Sequence, residues 1–179
     1  MSFTITMSNV DLGLDALNAE CLAAARRLAQ PGAQVLYDQV KANVARLGRK
    51  TGNLSRAIYQ AYVDGEAGPG KASYRVTWNK SKAPHGHLVE FGYLERYELA
   101  RDARGRIFPM VRPEMRGKPK PGRRAAQAVK DAYYVPRKGG PKQIPAKAFV
   151  RNAYSKAPLA QEAMRKRFIA ELRQKGLIK

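Results

Sequence analysis

Apolar side chains recur at intervals of three and four through the first fifty residues. Leu14, Leu17, Cys21, Ala24 and Leu28 define one face of a helix over residues 8–29, with Ser8 and Asp11 spaced as a weak capping box at its start. Pro31-Gly32 interrupts the pattern. Proline lacks an amide hydrogen and clashes with the preceding turn, so the helix is expected to kink or stop there. Leu36, Val40, Val44 and Leu47 then mark a second helix, closed by Gly48 as its C-cap. Gly52-Asn53 favours a turn, because both residues tolerate a left-handed backbone. Beyond it the period shortens to two. Residues 58–63 are aromatic and β-branched and read as a strand. Residues 64–70 hold three glycines and a proline and read as a hairpin loop. Tyr74, Val76 and Trp78 alternate with Arg75, Thr77 and Asn79, which predicts a half-buried strand.

A loop over 79–84 leads into HGHLVEFGY at 85–93. Leu88, Val89 and Phe91 surround one carboxylate, Glu90, and Gly92 frees the backbone to turn. This stretch is expected to form a compact apolar corner. Residues 94–143 have another texture, dense in Arg, Lys, Pro and Gly. Within them, 107–111 is a candidate short strand and 125–134 a short helix or strand. Residues 112–124 carry too little apolar surface to offset their ordering entropy and are expected to be poorly ordered alone. Regularity returns at 144–150. Pro145 suits a first helical turn, and 146–154 read as a helix with Phe149, Val150 and Ala153 on one side. Pro158 opens a last helix, in which Ala160, Met164, Phe168 and Leu172 fall at intervals of four before Gly176 ends it.

Together these elements predict an α+β fold, a small antiparallel sheet packed by N- and C-terminal helices. In one domain over 1–179, they divide into N-terminal helices at 1–48, a hairpin and corner at 49–92, a long basic insertion or arm at 94–143, and C-terminal helices at 144–179. The length of 179 residues is enough for a sizeable core. The single cysteine, Cys21, forms no intramolecular disulfide, and its place on the helix face assigns it to the core. The chain start lacks the basic region and apolar run of a signal peptide, and no apolar stretch approaches the roughly 20 residues that span a bilayer.

Charge changes the picture. The chain carries 34 basic and 14 acidic residues, a net charge of +20. Residues 1–48 are neutral, so the whole excess lies in 49–179, and 94–143 alone carry +9. Such asymmetry points to a polyanionic partner, either nucleic acid or an acidic protein face. Arg112, Arg116, Lys118, Lys120, Arg123, Arg124, Arg137 and Lys138 are the candidate residues that face it. Tyr97, Phe108, Tyr133 and Tyr134 lie among them, a composition that also suits stacking on single-stranded nucleic acid.

Catalytic chemistry is sparse. The chain has no glycine-rich phosphate loop and no cysteine pair with metal spacing. His85 and His87 would share a face on a strand, with Glu90 as a third ligand, but turn residues at a corner are the simpler reading. Glu90 is expected to pair with a basic residue or with backbone amides. No cofactor is implied and no enzymatic activity is expected.

Three pieces in order carry a resemblance. They are TGNL at 51–54, HLVEFG at 87–92 and PAKAFVRNAY at 145–154. Together they resemble the tail-completion, or tail-component, family of head–tail connectors in tailed bacteriophages, which includes protein Z of phage lambda. Thr51, Gly52, Asn53 and Leu54 match its first motif. Val89, Glu90, Phe91 and Gly92 match the second, and Pro145, Ala146, Phe149, Val150 and Arg151 the third. The family commonly joins its second and third motifs by a shorter loop, so the resemblance does not extend to 94–143. It implies a non-enzymatic virion protein of the tail or neck, present in the host cytoplasm during assembly. It also implies a homo-oligomeric, hexameric ring that meets head-closure, tail-terminator or tail-tube proteins, with no membrane partner. Two uses of the basic charge then stay open, contact with genome DNA in the channel and docking on acidic faces of neighbouring rings. Docking is favoured for most of it, because a channel that gripped DNA would hinder ejection.

Overall fold

A computed structural model describes residues 3–7, 15–48, 52–66, 70–103 and 105–179. The chain divides into two compact units, one formed by 1–91 with 147–179 and the other by 92–146. The architecture is α+β.

The first unit holds a three-stranded antiparallel sheet in the order β1-β3-β2. Strand β1 is Phe3–Met7, β2 is Ile58–Tyr62 and β3 is Ala72–Trp78. Phe3 pairs with Val76 and Ile58 with Trp78. Strand β1 is not among the elements expected above, although Phe3, Ile5 and Met7 alternate with Thr4 and Thr6. The alternation in β3 buries Tyr74, Val76 and Trp78 and leaves Arg75 and Thr77 partly exposed.

Helix α1 runs unbroken over Asp15–Arg46, with Pro31 inside it. This corrects the expected stop at Pro31-Gly32. Leu28, Ala29, Gly32, Ala33 and Leu36, on both sides of the proline, are all buried. Burial of this face offsets the lost backbone hydrogen bond and the ring clash, which together cost about 3 kcal/mol in a helix interior. Gly32 lets another helix come close: a Cβ here would lie 2.8 Å from the side chain of Met164 and 3.1 Å from the carbonyl oxygen of Ala160. The helix ends as expected, with Gly48 at φ +80°. The expected capping pair Ser8 and Asp11 lies outside the described residues, as do the apolar position Leu14 and the side chains of Leu17 and Cys21.

The Gly52-Asn53 turn opens a short helix, α2, over Asn53–Ala57, with Gly52 at φ 74° as its N-cap. Residues 85–93 also hold a helix where a turn is expected. Helix α3 covers Gly86–Phe91. It starts where Gly86 lies against the indole of Trp78, so closely that a Cβ would sit 2.3 Å from Nε1. The C-terminal pieces shift too. Residues 145–148 have no regular structure, a 3-10 helix covers Arg151–Lys156, and α5 covers Ala157–Gln174. Pro145 therefore opens no helix; Pro158, in the first turn of α5, takes that role. The core of this unit gathers Leu36, Val40 and Val44 of α1, Ile58, Val76 and Trp78 of the sheet, and Phe149, Val150 and Ala153. Trp78 and Phe149 meet edge to face at 5.6 Å.

The second unit is a set of short antiparallel ladders. Strand β4, Tyr93–Glu95, pairs with β7, Lys142–Ile144. Strand β5, Leu99–Arg101, pairs with β6, Ile107–Pro109. Bridges join Tyr97 to Pro136 and Val111 to Tyr134. Residues 125–134 resolve into helix α4, Gln127–Tyr133. Residues 112–124 hold one short 3-10 turn, Pro113–Met115, and no other helix or strand.

Gly92 is fixed by contact as well as by conformation. Its φ is +74°, and a Cβ would lie 2.5 Å from the carbonyl oxygen of Ile144 and 2.8 Å from the amide of Ala146. Gly48 is also left-handed, with open space around it. Gly48→Ala should therefore cost about 1–2 kcal/mol from backbone strain alone, and Gly92→Ala roughly double that or more. Urea unfolding of the two variants checks this; equal losses would contradict the contact at Gly92.

Candidate functional site

The most constrained chemistry in the first unit surrounds Glu90. This carboxylate is fully buried. An ionised group taken out of water costs several kcal/mol unless its oxygens are satisfied. Three hydrogen bonds to the Glu90 carboxylate oxygens do so, and a fourth reaches its backbone carbonyl. The backbone amide of Val150 donates to Oε2 at 2.9 Å, and that of Arg151 to Oε1 at 3.2 Å. The Arg151 guanidinium then donates through Nε to Oε1 at 3.1 Å and through a terminal nitrogen to the Glu90 carbonyl oxygen at 2.8 Å. Arginine's rigid fork suits this two-point grip. The same guanidinium lies 5.2 Å from the centre of the exposed Phe91 ring.

Backbone bonds run alongside. Lys147 donates its amide to Val89 at 2.9 Å, and Ala148 to Glu90 at 3.2 Å. Ala148 has φ 47°, a left-handed conformation that costs a residue with a Cβ about 1–2 kcal/mol. The strain sits beside the buried Phe149 and Val150. The arrangement fastens α3 to the segment entering the C-terminal helices. Both oxygens of the carboxylate are occupied, so it is placed to hold backbone and not to transfer protons.

The second and third sequence motifs thus come together in space through Glu90, Phe149 and Arg151. The first motif stands apart from this cluster. Gly52 caps α2, Asn53 accepts a hydrogen bond from Arg56 at 2.7 Å, and Leu54 packs against the core. Thr51 lies outside the described residues. Pro145 and Ala146 are exposed. His85 and His87 are exposed as well, one before α3 and one within it. His87 Nδ1 lies 2.7 Å from the Pro84 carbonyl oxygen, and so carries a proton there. Among the described residues, no group of three or more His, Cys, Asp or Glu is placed to hold a metal ion.

The second unit sorts its basic residues into two sets. Arg137 pairs with Glu95, and Arg112 donates to the Tyr134 carbonyl oxygen at 3.1 Å and lies 3.9 Å from Glu114. These two serve the unit's own structure. Arg116, Lys118, Lys120, Arg123, Arg124 and Lys138 are exposed. Three of the four aromatic residues named for this segment, Tyr97, Tyr133 and Tyr134, cluster, while Phe108 is exposed. Tyr134 is buried, with ring contacts to Tyr97 at 5.1 Å and Tyr133 at 5.0 Å. They pack on one another instead of forming an open stacking platform. Sequence reasoning passed over the polar triangle beside them. The Tyr97 hydroxyl donates to Asp131 at 2.7 Å, and Gln127 Nε2 donates to both at 2.7 Å. Its one signal in the chain is Gln127 and Asp131 at a helical spacing of four.

The Tyr97 hydroxyl, followed by Gln127, holds the Asp131 carboxyl below the usual carboxylate range. Burial, followed by the Asp131 hydrogen bond, pushes the Tyr97 phenol up. A depressed folded pKa stabilises above the unfolded value of about 3.9, and that contribution is lost as pH falls through the folded value. Asp131→Asn should therefore be less stable than wild type at pH 5–8, with the gap closing below about pH 4. Urea midpoints across that range check the sign. At the buried carboxylate, Glu90→Gln should cost about 3–5 kcal/mol, because it strands Arg151 and turns an amide NH₂ toward backbone donors. Arg151→Lys should cost less, about 1–2 kcal/mol, since one bond survives the loss of the fork. An Arg151→Lys variant as stable as wild type in urea unfolding would show that the two-point grip contributes nothing.

No curated protein and no solved structure matches the chain. One family model does, over residues 11–92, and it is described as "Bacteriophage HK97-gp10, putative tail-component". The matched span contains the first two sequence motifs and ends at Gly92, where the second compact unit begins. Over α1, the sheet strands β2 and β3, and the Glu90 corner, the chain is similar to a tail-component family of bacteriophages.

Proposed function

We propose that this chain is a structural subunit of a tailed-phage virion, a tail-completion or neck connector that joins tail to head. The observation that carries the proposal is the family match over 11–92, which covers the part of the first unit anchored by a purely structural buried carboxylate. In this reading subunits close head to tail into a ring, hexameric as the resemblance carried by the three sequence motifs implies. Such closure needs complementary lateral surfaces and the right rotation, and no reactive group. Neighbours above and below are head-closure, tail-terminator or tail-tube proteins. No helix among the described residues is long and apolar enough to cross a membrane.

The second unit supports a docking role. Tyr134 is its one buried large apolar side chain among the described residues, while Leu94, Leu99, Ile107, Phe108, Met110 and Val129 are exposed. A unit of this size with so small a core gains stability from a partner that covers its apolar groups. Its net positive charge makes a second copy of the same face a poor partner and an acidic neighbour a good one. In a phage that encodes this chain, replacing the exposed Leu99, Ile107 and Phe108 by Ser should leave completed heads and completed tails that fail to join, visible by electron microscopy. Imaging wild-type particles should place the chain at the head–tail junction. Purified virions that lack the chain would end the connector reading.

A further inference from the structure

The exposed stretch 116–124 reads Arg-Gly-Lys-Pro-Lys-Pro-Gly-Arg-Arg. It holds five cations, no acid and no apolar side chain other than proline. Its charge is uncompensated within the unit, because the five carboxylates of 92–146 are engaged elsewhere. Glu95 pairs with Arg137, Asp102 with Arg106 and Glu114 with Arg112. Glu98 accepts from the Lys138 amide and Asp131 from Tyr97. The loop is held at two points by α4. The Tyr133 hydroxyl donates to the Lys118 carbonyl oxygen at 3.1 Å, and Lys130 Nζ donates to the Arg123 carbonyl oxygen at 2.9 Å. Both holds act on backbone, so the cationic side chains are left to solvent. Pro119 and Pro121 lack amide donors, which keeps the stretch from pairing as a strand.

We propose that residues 116–124 form a binding element for the phosphate backbone of duplex nucleic acid, presented by α4 and indifferent to base sequence. Two observations choose this partner over an acidic protein face and over single strands. Protein interfaces concentrate their energy in apolar and aromatic anchors and are depleted in lysine; this loop has no such anchor. Single-strand binding needs a series of open aromatic platforms for successive bases; Tyr97, Tyr133 and Tyr134 pack on one another, and the exposed Phe108 is a single ring. Lysine, arginine and glycine without anchors suit contacts to phosphate, which release counterions and fall steeply with salt. The inference goes beyond the connector reading and stands without it, because the purified chain should bind a duplex outside any particle.

The test is fluorescence anisotropy of the full chain with a labelled 20-base-pair duplex across a series of NaCl concentrations. Wild type should bind, with log affinity falling linearly against log salt. Replacing Lys118, Lys120, Arg123 and Arg124 by Gln should reduce the slope by about three to four, since each phosphate contact contributes about 0.9. Affinity in low salt should drop at least tenfold. A control replacing the exposed Lys80, Lys82, Arg173 and Lys179 by Gln removes the same charge and should change affinity far less. Tyr133→Phe removes one backbone hold without changing charge; it should weaken binding a few-fold at nearly constant slope. Two unlabelled duplexes of different sequence should compete equally. If the loop variant and the control lose affinity alike, or if the loop variant binds as wild type does, the proposal fails. In the second case the loop is left to an acidic protein face. Thermal unfolding by circular dichroism confirms that each variant is folded before its affinity is read.

Discussion

A carboxylate with no solvent exposure sits at the end of α3, and the first unit is arranged to satisfy it. Val150 and Arg151 contribute their amides and Arg151 its guanidinium. Leaving any of these bonds unmade would bury an uncompensated charge, which costs more than the paired state contributes. The register of residues 147–151 against 89–90 is therefore fixed by charge as well as by packing. That register carries Phe149, Val150 and Ala153 into the core beside Trp78 and α1. It also tolerates one strained residue, Ala148, whose cost is small beside that of misplacing the segment.

The same latch has an architectural consequence. The chain leaves the first unit after Phe91 and returns at Lys147. With Lys147 bonded to Val89, the two ends of the first unit are held side by side. A segment whose ends are already together adds little loop-closure entropy, so its length is only weakly constrained. Inside the second unit, backbone ladders, a tyrosine cluster and the Tyr97–Asp131–Gln127 triangle stand in place of a large apolar core.

The two units differ in what they do with charge. Residues 11–92, which are similar to a phage tail-component family, end in a buried carboxylate held by backbone amides and Arg151. The second unit presents exposed cations and exposed apolar groups.

The amino-acid sequence alone determined the periodic faces. Leu36, Val40 and Val44 at spacing four, the alternation of Tyr74, Val76 and Trp78, and the triplet Phe149, Val150 and Ala153 all proved buried. It also determined the basic, anchor-poor stretch at 116–124, the pairing of Glu90, and the family resemblance. Tertiary structure decided whatever depends on a distant partner. Pro31 stays within α1 because burial on both sides outweighs a local defect, whereas Pro145, expected to start a helix, lies outside any helix or strand. Phe3–Met7 is a strand because it pairs with Ala72–Trp78, some seventy residues away. The tyrosines of the basic segment look like stacking platforms in one dimension and pack on each other in three. Local propensity differs between such alternatives by about 1 kcal/mol or less per residue, and by about 3 kcal/mol for a proline in a helix, so long-range packing settles them.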